Sequence, residues 1–404
     1  MTYTGEALTQ SPVVEYNGTI LTEGRDYRVS YENNINHGSA GVIITGQGDY
    51  IGIKNESFWI NQAPQTITAS NLSLTYLKTG TIKVSGSKGK LSFTSSNTAV
   101  ATVDSAGKVT AKGAGKATIT ITAAATNNYN TATKQITVTV AKAAQAITAK
   151  AAASSVAVGK TTTVSITGAK GTKSYKSSDT TIAAVTSAGK VTAKKVGTVK
   201  ITATSAATSN YNAASKTVTI KVVPAATASL AAENQATGIK LTWKKVTGAN
   251  GYKVYRESTL IKTITSGSTV TFADAKANTN GTKYTYKVVA KGTTGDSTLS
   301  RSRVIYRVAR PAVSSVTNTA ASKMTLKWGK NAKATGYVIH YSTDKTFKSG
   351  NKSVTVTSAS TVSRVISSLT KGKTYYVRIR TYKTVGSAKY WSMCSAARSV
   401  KISK

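Results

Sequence analysis

Ser105-Ala106-Gly107-Lys108-Val109-Thr110-Ala111-Lys112 returns letter for letter at Ser187-Ala188-Gly189-Lys190-Val191-Thr192-Ala193-Lys194, 82 residues on. At the same offset Asn128-Tyr129-Asn130 returns as Asn210-Tyr211-Asn212, and Thr133–Val140 is answered by Ser215–Val222. A fixed period of this length marks a repeated structural unit, here with copies at about 63–141 and 142–223. Inside each copy the text alternates. Thr118-Ile119-Thr120-Ile121-Thr122 and Ile136-Thr137-Val138-Thr139-Val140 place apolar and polar side chains on opposite faces, the signature of a half-buried strand. Ser-Ala-Gly and Lys-Gly-Ala-Gly punctuate the strands as tight turns, where glycine accepts positive φ.

Outward from this pair the chain keeps its β character and changes its pattern. Leu241-Thr242-Trp243 matches Leu326-Lys327-Trp328, and Gly251-Tyr252 matches Gly336-Tyr337, both 85 residues apart. Gly281-Thr282-Lys283-Tyr284 is echoed by Gly372-Lys373-Thr374-Tyr375. A Trp on one strand and a Tyr opening another after a Gly turn fill the centre of a two-sheet sandwich. These copies run over about 224–307 and 308–404, with Pro224 and Pro311 near the joins as short, stiff connections. Strand text before Gln62, rich in Gly and Asn turns, forms one more small β-module. The fold class is therefore all-β: tandem immunoglobulin-like sandwiches in an extended array, each burying its own core and touching its neighbours little.

Charge divides the chain unevenly. Of 54 basic and 14 acidic residues, the stretch to Gln62 holds three basic and seven acidic, a net of −4, which leaves +44 for the remainder. After Val308 there are 18 basic residues and a single acid, Asp344. Such a field attracts polyanions. The simpler cause is a lysine-rich solvated surface that keeps Thr/Ala-rich sandwiches soluble and monomeric, because the lysines are spread along strands and turns.

Catalysis needs convergent titratable groups, and few are present. His37 lies in a turn and His340 in the strand Tyr337-Val338-Ile339-His340-Tyr341, neither with a metal-spaced partner. Cys394 is the single cysteine, so no disulfide framework exists, and in what reads as the last strand it is expected to pack as a small hydrophobe. No Gly-x-Ser-x-Gly elbow occurs, and Ser85-Gly86-Ser87-Lys88 lacks the companion motifs of a penicillin-binding site. No enzyme, cofactor or metal is expected.

Binding is harder to dismiss. Trp243 and Trp328 fall at core positions, Trp59 lies in a closing strand, and Trp391 alone has no assigned core role. Tyr376, Arg378, Arg380 and Tyr382 share one face of a strand, opposite Tyr375, Val377 and Ile379. Basic and aromatic side chains so interleaved can grip a polyanion or glycan, although an ordinary solvent face has the same pattern. Nucleic acid is not the expected partner, since the basic residues spread over four modules rather than one recognition element.

The 82-residue copies resemble bacterial Ig-like group 2 domains of intimin- and invasin-type surface proteins, through Ser96-Asn97-Thr98-Ala99-Val100-Ala101-Thr102-Val103, Gly107–Ala111 and Gly115–Ile119. The second copy departs at Thr181–Val185 and Val196-Gly197-Thr198. The 85-residue copies resemble fibronectin type III domains through Trp243, Tyr252 and Tyr284 and Trp328, Tyr337 and Tyr375. The first segment resembles a Gram-positive surface-protein repeat through Leu21-x-Glu-Gly-x-Asp-Tyr27 and Gly46-x-Gly48-x-Tyr50-x-Gly52. The resemblances imply a non-catalytic stalk or adhesion segment of a bacterial surface or secreted protein and are silent on its ligand; the charge of the C-terminal modules makes anionic wall polymer or host glycan the expected partner. An accessory region of a secreted wall- or polysaccharide-degrading enzyme is the alternative. Met1-Thr2-Tyr3-Thr4-Gly5 is no signal peptide and no apolar run reaches membrane-spanning length, so export would use a signal not present in this chain.

Overall fold

A computed structural model describes all 404 residues, as 35 strands and no helix. No helix is therefore long and apolar enough to cross a membrane. The fold is all-β, a tandem series of immunoglobulin-like sheets. The chain parts into two compact units: Met1–Thr148 with Thr167–Lys173 and Thr204–Ser215, and Ala149–Ile166 with Ser174–Ala203 and Lys216–Lys404.

In the first unit, the acidic segment is a three-stranded antiparallel sheet of Tyr27–Glu32, Gly38–Gly46 and Ile53–Ile60. One face carries Tyr27, Ala40, Val42, Ile44, Phe58 and Ile60, covered by Leu21 and the N-terminal run. Trp59 points the other way and is 55 % exposed, because its neighbours Phe58 and Ile60 take the inner face. Its place in the closing strand thus implied no core role. The 63–141 copy follows as two sheets. One orders Leu72–Thr75, Ala132–Ala141, Gly115–Ala123 and Leu91–Ser95, and the other Thr79–Thr81, Lys108–Ala111 and Ala101–Val103. Ile119, Ile121, Ile136 and Val138 are buried from the alternating strands, as the period-two text requires.

Strand order alone leaves peptide groups unpaired in the loops, and side chains meet them. Gln65, buried, donates Nε2 to the Ala124 and Asn130 carbonyls at 3.0 and 2.6 Å and accepts from the Lys88 N–H at 2.9 Å. Gln145 repeats this on Ala206, Asn212 and Lys170. The repeated Asn-Tyr-Asn loops have a second use. Asn128 Oδ1 accepts the His37 N–H of the preceding segment at 2.9 Å, while Tyr129 meets Tyr3 edge-on at 5.4 Å. Asn210 Oδ1 accepts the Ala114 N–H at 2.8 Å, and Tyr211 meets Tyr76 at 5.4 Å. The same loop thus clasps the segment before it in both copies.

In the second unit, Thr161–Thr167, Lys190–Ala193 and Ala183–Val185 lie side by side. Gly189 turns at φ +80°, and a Cβ there would sit 2.3 Å from the Val164 carbonyl oxygen. The 85-residue copies are sandwiches of a three-stranded sheet on a larger one, with the Trp-Tyr pair between them. Trp243 meets Tyr252 at 5.2 Å and Trp328 meets Tyr337 at 5.4 Å, both at 62°. Each tyrosine hydroxyl then accepts a loop N–H, from Val246 or Asn331.

Neighbouring segments touch more than their independent cores would require. Thr294 Oγ1 donates to the Val222 carbonyl at 2.6 Å. At the join of the 85-residue copies, Asn234 Nδ2 donates to the Tyr306 and Trp391 carbonyls, both at 3.0 Å. Beside it Arg307, 2 % exposed, donates to Asn278 Oδ1 and to the carbonyls of Gln235, Ala236 and Val308, with no carboxylate among its partners. Burial pushes its pKa down, yet a guanidinium stays charged across the accessible pH range.

Replacing Trp328 with Ala removes the centre of the last sandwich and should cost it about 3–5 kcal/mol. Hydrogen exchange on the whole chain should show protection lost at Leu326, Ile339 and Val377 and kept at Ile119 and Ile121. Equal loss at both sets would show that the cores do not unfold separately.

Candidate anion-binding face

The 12-residue strand Thr374–Val385 crosses the last sheet between Gly336–Ser342 on one side and Ala388–Trp391 and Arg398–Lys401 on the other. Tyr375, Val377 and Ile379 point into the core. Tyr376, Arg378 and Arg380 are half-buried on the opposite face. Tyr382 follows them but is only 4 % exposed, so it differs from the open-face placement expected of it. Trp391 covers it, with ring centroids 5.3 Å apart, and the Lys389 ammonium lies 5.1 Å from its ring.

The two arginines lie on aromatic rings. The Arg380 guanidinium carbon is 4.0 Å from the Trp391 ring centre, and that of Arg378 is 4.1 Å from the Phe347 ring centre. Stacking of this kind fixes a guanidinium plane while leaving its edge free. Nε of each is buried without a hydrogen-bond partner, and neither arginine belongs to any of the chain's four ion pairs.

The shortage of acid explains why. Asp344 Oδ1 accepts from the N–H and hydroxyl of Thr346 at 2.8 Å each, and Oδ2 accepts from the N–H groups of Lys348 and Ser349 at 2.9 and 3.0 Å. These donors hold its carboxyl well below the usual carboxylate range. The folded loop seats Phe347, at φ +56°, beneath Arg378. The one carboxylate of this segment is thus occupied in shaping the platform and does not neutralise the arginines.

Trp391 reaches Arg380 because the chain leaves the strand ladder immediately after it. Ser392 Oγ accepts the Thr381 N–H at 2.9 Å and Ser395 Oγ accepts the Ile379 N–H at 3.1 Å. The strand expected through Cys394 is therefore interrupted, and the thiol is half-buried in the connecting stretch. The preceding copy uses the same clamp, with Ser297 on Ala290 and Ser300 on Val288. There the positions matching Arg378, Arg380 and Trp391 are Lys287, Val289 and Asp296, and Asp296 pairs with Lys253 at 2.7 Å. The scaffold is shared, and the free stacked arginines belong to the last copy.

His340 stands directly opposite Arg378 in register. Burial and the charges of Arg380 and Arg378 hold its pKa below 6.5. His37 is placed otherwise, with Nδ1 2.6 Å from the Ile60 carbonyl and its ring edge-on to Trp59 at 5.6 Å. No group of three or more His, Cys, Asp or Glu side chains is arranged to hold a metal ion.

Two domain-family models match parts of the chain. Residues 78–125 match the family model of the intimin immunoglobulin-like domain, and residues 309–394 match that of the fibronectin type III domain. Both are domain types that are typically non-catalytic and typical of extracellular proteins. No curated protein matches the chain. Among solved structures, it is similar to the FN1–FN3 domains of chicken CNTN1 at 16 % identity, covering 63 % of this chain and 98 % of that one, with a TM-score of 0.29.

Proposed function

We propose that the chain is a non-catalytic stalk and adhesion segment of a bacterial surface or secreted protein, built of five β-modules at 1–62, 63–141, 142–223, 224–307 and 308–404. Its last module binds acidic polysaccharide, as anionic wall polymer or host glycan, through Tyr376, Arg378, Arg380 and Trp391. The observation that carries this reading is the pair of guanidiniums stacked on Trp391 and Phe347 with no anion of their own. A stacked guanidinium with a free edge meets sulfate, phosphate or carboxylate bidentately and has little rotamer freedom left to lose. The net charge of the last segment, 18 basic residues against one acid, adds attraction at a distance.

The test is retention of the whole chain on an immobilised sulfated polysaccharide across a salt series. R378Q/R380Q should elute at clearly lower salt than K116Q/K134Q, which removes the same charge from exposed lysines. Equal elution of the two would mean that the field alone binds. Occupancy should also be read by His340. An anion beside Arg378 favours the imidazolium, so the pKa, depressed in the free chain, rises on binding. The complex then takes up a proton, and affinity grows as pH falls through the His340 titration, where a sulfate ester does not titrate. An unchanged NMR titration of His340 in the complex would place the ligand elsewhere.

A further inference from the structure

A cleft of about 530 Å³ lies where the two 85-residue copies meet. The earlier copy contributes Arg303 and Glu233, and the later one contributes Arg380, Lys389, Tyr390 and Trp391. Three cations against one carboxylate give the cleft a positive excess. Arg303 is exposed on the strand Arg303–Tyr306 and takes no part in the chain's ion pairs. Arg380 reaches the cleft with its plane already fixed on Trp391.

The walls are held in register by the join itself. Asn234, itself on the wall from the earlier copy, bonds simultaneously to the Tyr306 carbonyl of its own copy and to the Trp391 carbonyl on the other wall. Its Oδ1 accepts the Val308 N–H at 3.0 Å, next to the Arg307 guanidinium. Tyr390 packs against the core of the earlier copy and meets Tyr306 at 5.0 Å. Asn280 donates to Asn331 Oδ1 at 2.7 Å, and the Lys383 ammonium lies 5.9 Å from the centre of the Tyr306 ring. A cleft lined from two modules keeps a useful shape only where the modules cannot swing, and this join has the bonds to prevent it.

We infer that the two 85-residue copies form one composite site, in which an oxyanion of an acidic polysaccharide lies between Arg303 and Arg380 and an adjoining sugar ring rests on Trp391. This rests on the acidic-polysaccharide reading above and adds that recognition needs both copies. Arg380 is shared, so the outer face and the cleft form one continuous track across the join. The oxyanion is a sulfate ester, a phosphodiester or a uronate carboxylate, all of which fit a guanidinium fork.

The experiment measures binding of the whole chain to size-defined sulfated, phosphodiester-linked and uronate oligosaccharides, with a neutral oligosaccharide as blank. Arg303→Gln should weaken the preferred acidic ligand about tenfold, the loss of one charge-assisted pair. K116Q should change it less than twofold, and the melting temperature of R303Q should be unchanged because Arg303 supports no packing. Asn234→Ala, which frees the join, should weaken the same ligand while leaving protection at Ile339 and Val377 intact. If R378Q loses affinity and R303Q does not, the polysaccharide stays on the outer face and the composite site is wrong, with the face reading intact. If neither loses affinity relative to K116Q, both fall.

Discussion

Every strand that stops leaves peptide groups without partners, and burying them unpaired is costly. In this chain side chains repeatedly take up those groups, and the architecture hangs on where they do so. Gln65 and Gln145 close the loops of the 82-residue copies. Asn128 and Asn210 reach across to the segment before their own. Ser392 and Ser395 replace ladder bonds on Thr381 and Ile379. Asn234 and the Arg307 cage satisfy the carbonyls at the last join. Fixing backbone in this way fixes what stands on it, so the candidate site inherits its precision from loops and joins.

The chemistry that results is set by scarcity of acid. An arginine near a carboxylate pairs with it and presents little to a partner. Arg256 does so with Asp274 at 2.9 Å, and Tyr286 donates to the same carboxylate at 2.8 Å. Arg378 and Arg380 have no such neighbour, since Asp344 is held by its own loop. Aromatic rings stabilise them instead, which preserves charge and orientation together. The earlier copy, with Asp296 where the later has Trp391, shows the alternative outcome on the same scaffold.

Much of this could be read from sequence because the repeats are long and the strands alternate. The buried Trp243 and Trp328, the turns at Gly107 and Gly189 and the outward phase of Arg378 and Arg380 all follow from period-two text and glycine chemistry. The rest depended on contacts that no local pattern encodes. Phase alone could not show that Trp391 folds back over Tyr382, or that the strand breaks at Ser392. Trp59 lies on the exposed phase of its strand, a reading available from Phe58 and Ile60 on either side. Arg307 resembles any other surface cation in sequence, and only the convergence of Asn278, Gln235 and Ala236 makes it a buried one. The equal spacing of Ser297 to Ser300 and Ser392 to Ser395 was the one signal that could have announced the clamp.

If oriented arginines rather than diffuse charge hold an anionic polysaccharide, their side chains must respond to it selectively. The most direct measurement follows the arginine Nε–Hε resonances of the whole chain while an acidic oligosaccharide is added at moderate salt. Saturable shifts confined to Arg378, Arg380 and Arg303, with the other arginines still, are expected. Small, unsaturated shifts spread over arginines and lysines of every segment would contradict this, and would leave the charge as a property of the surface alone.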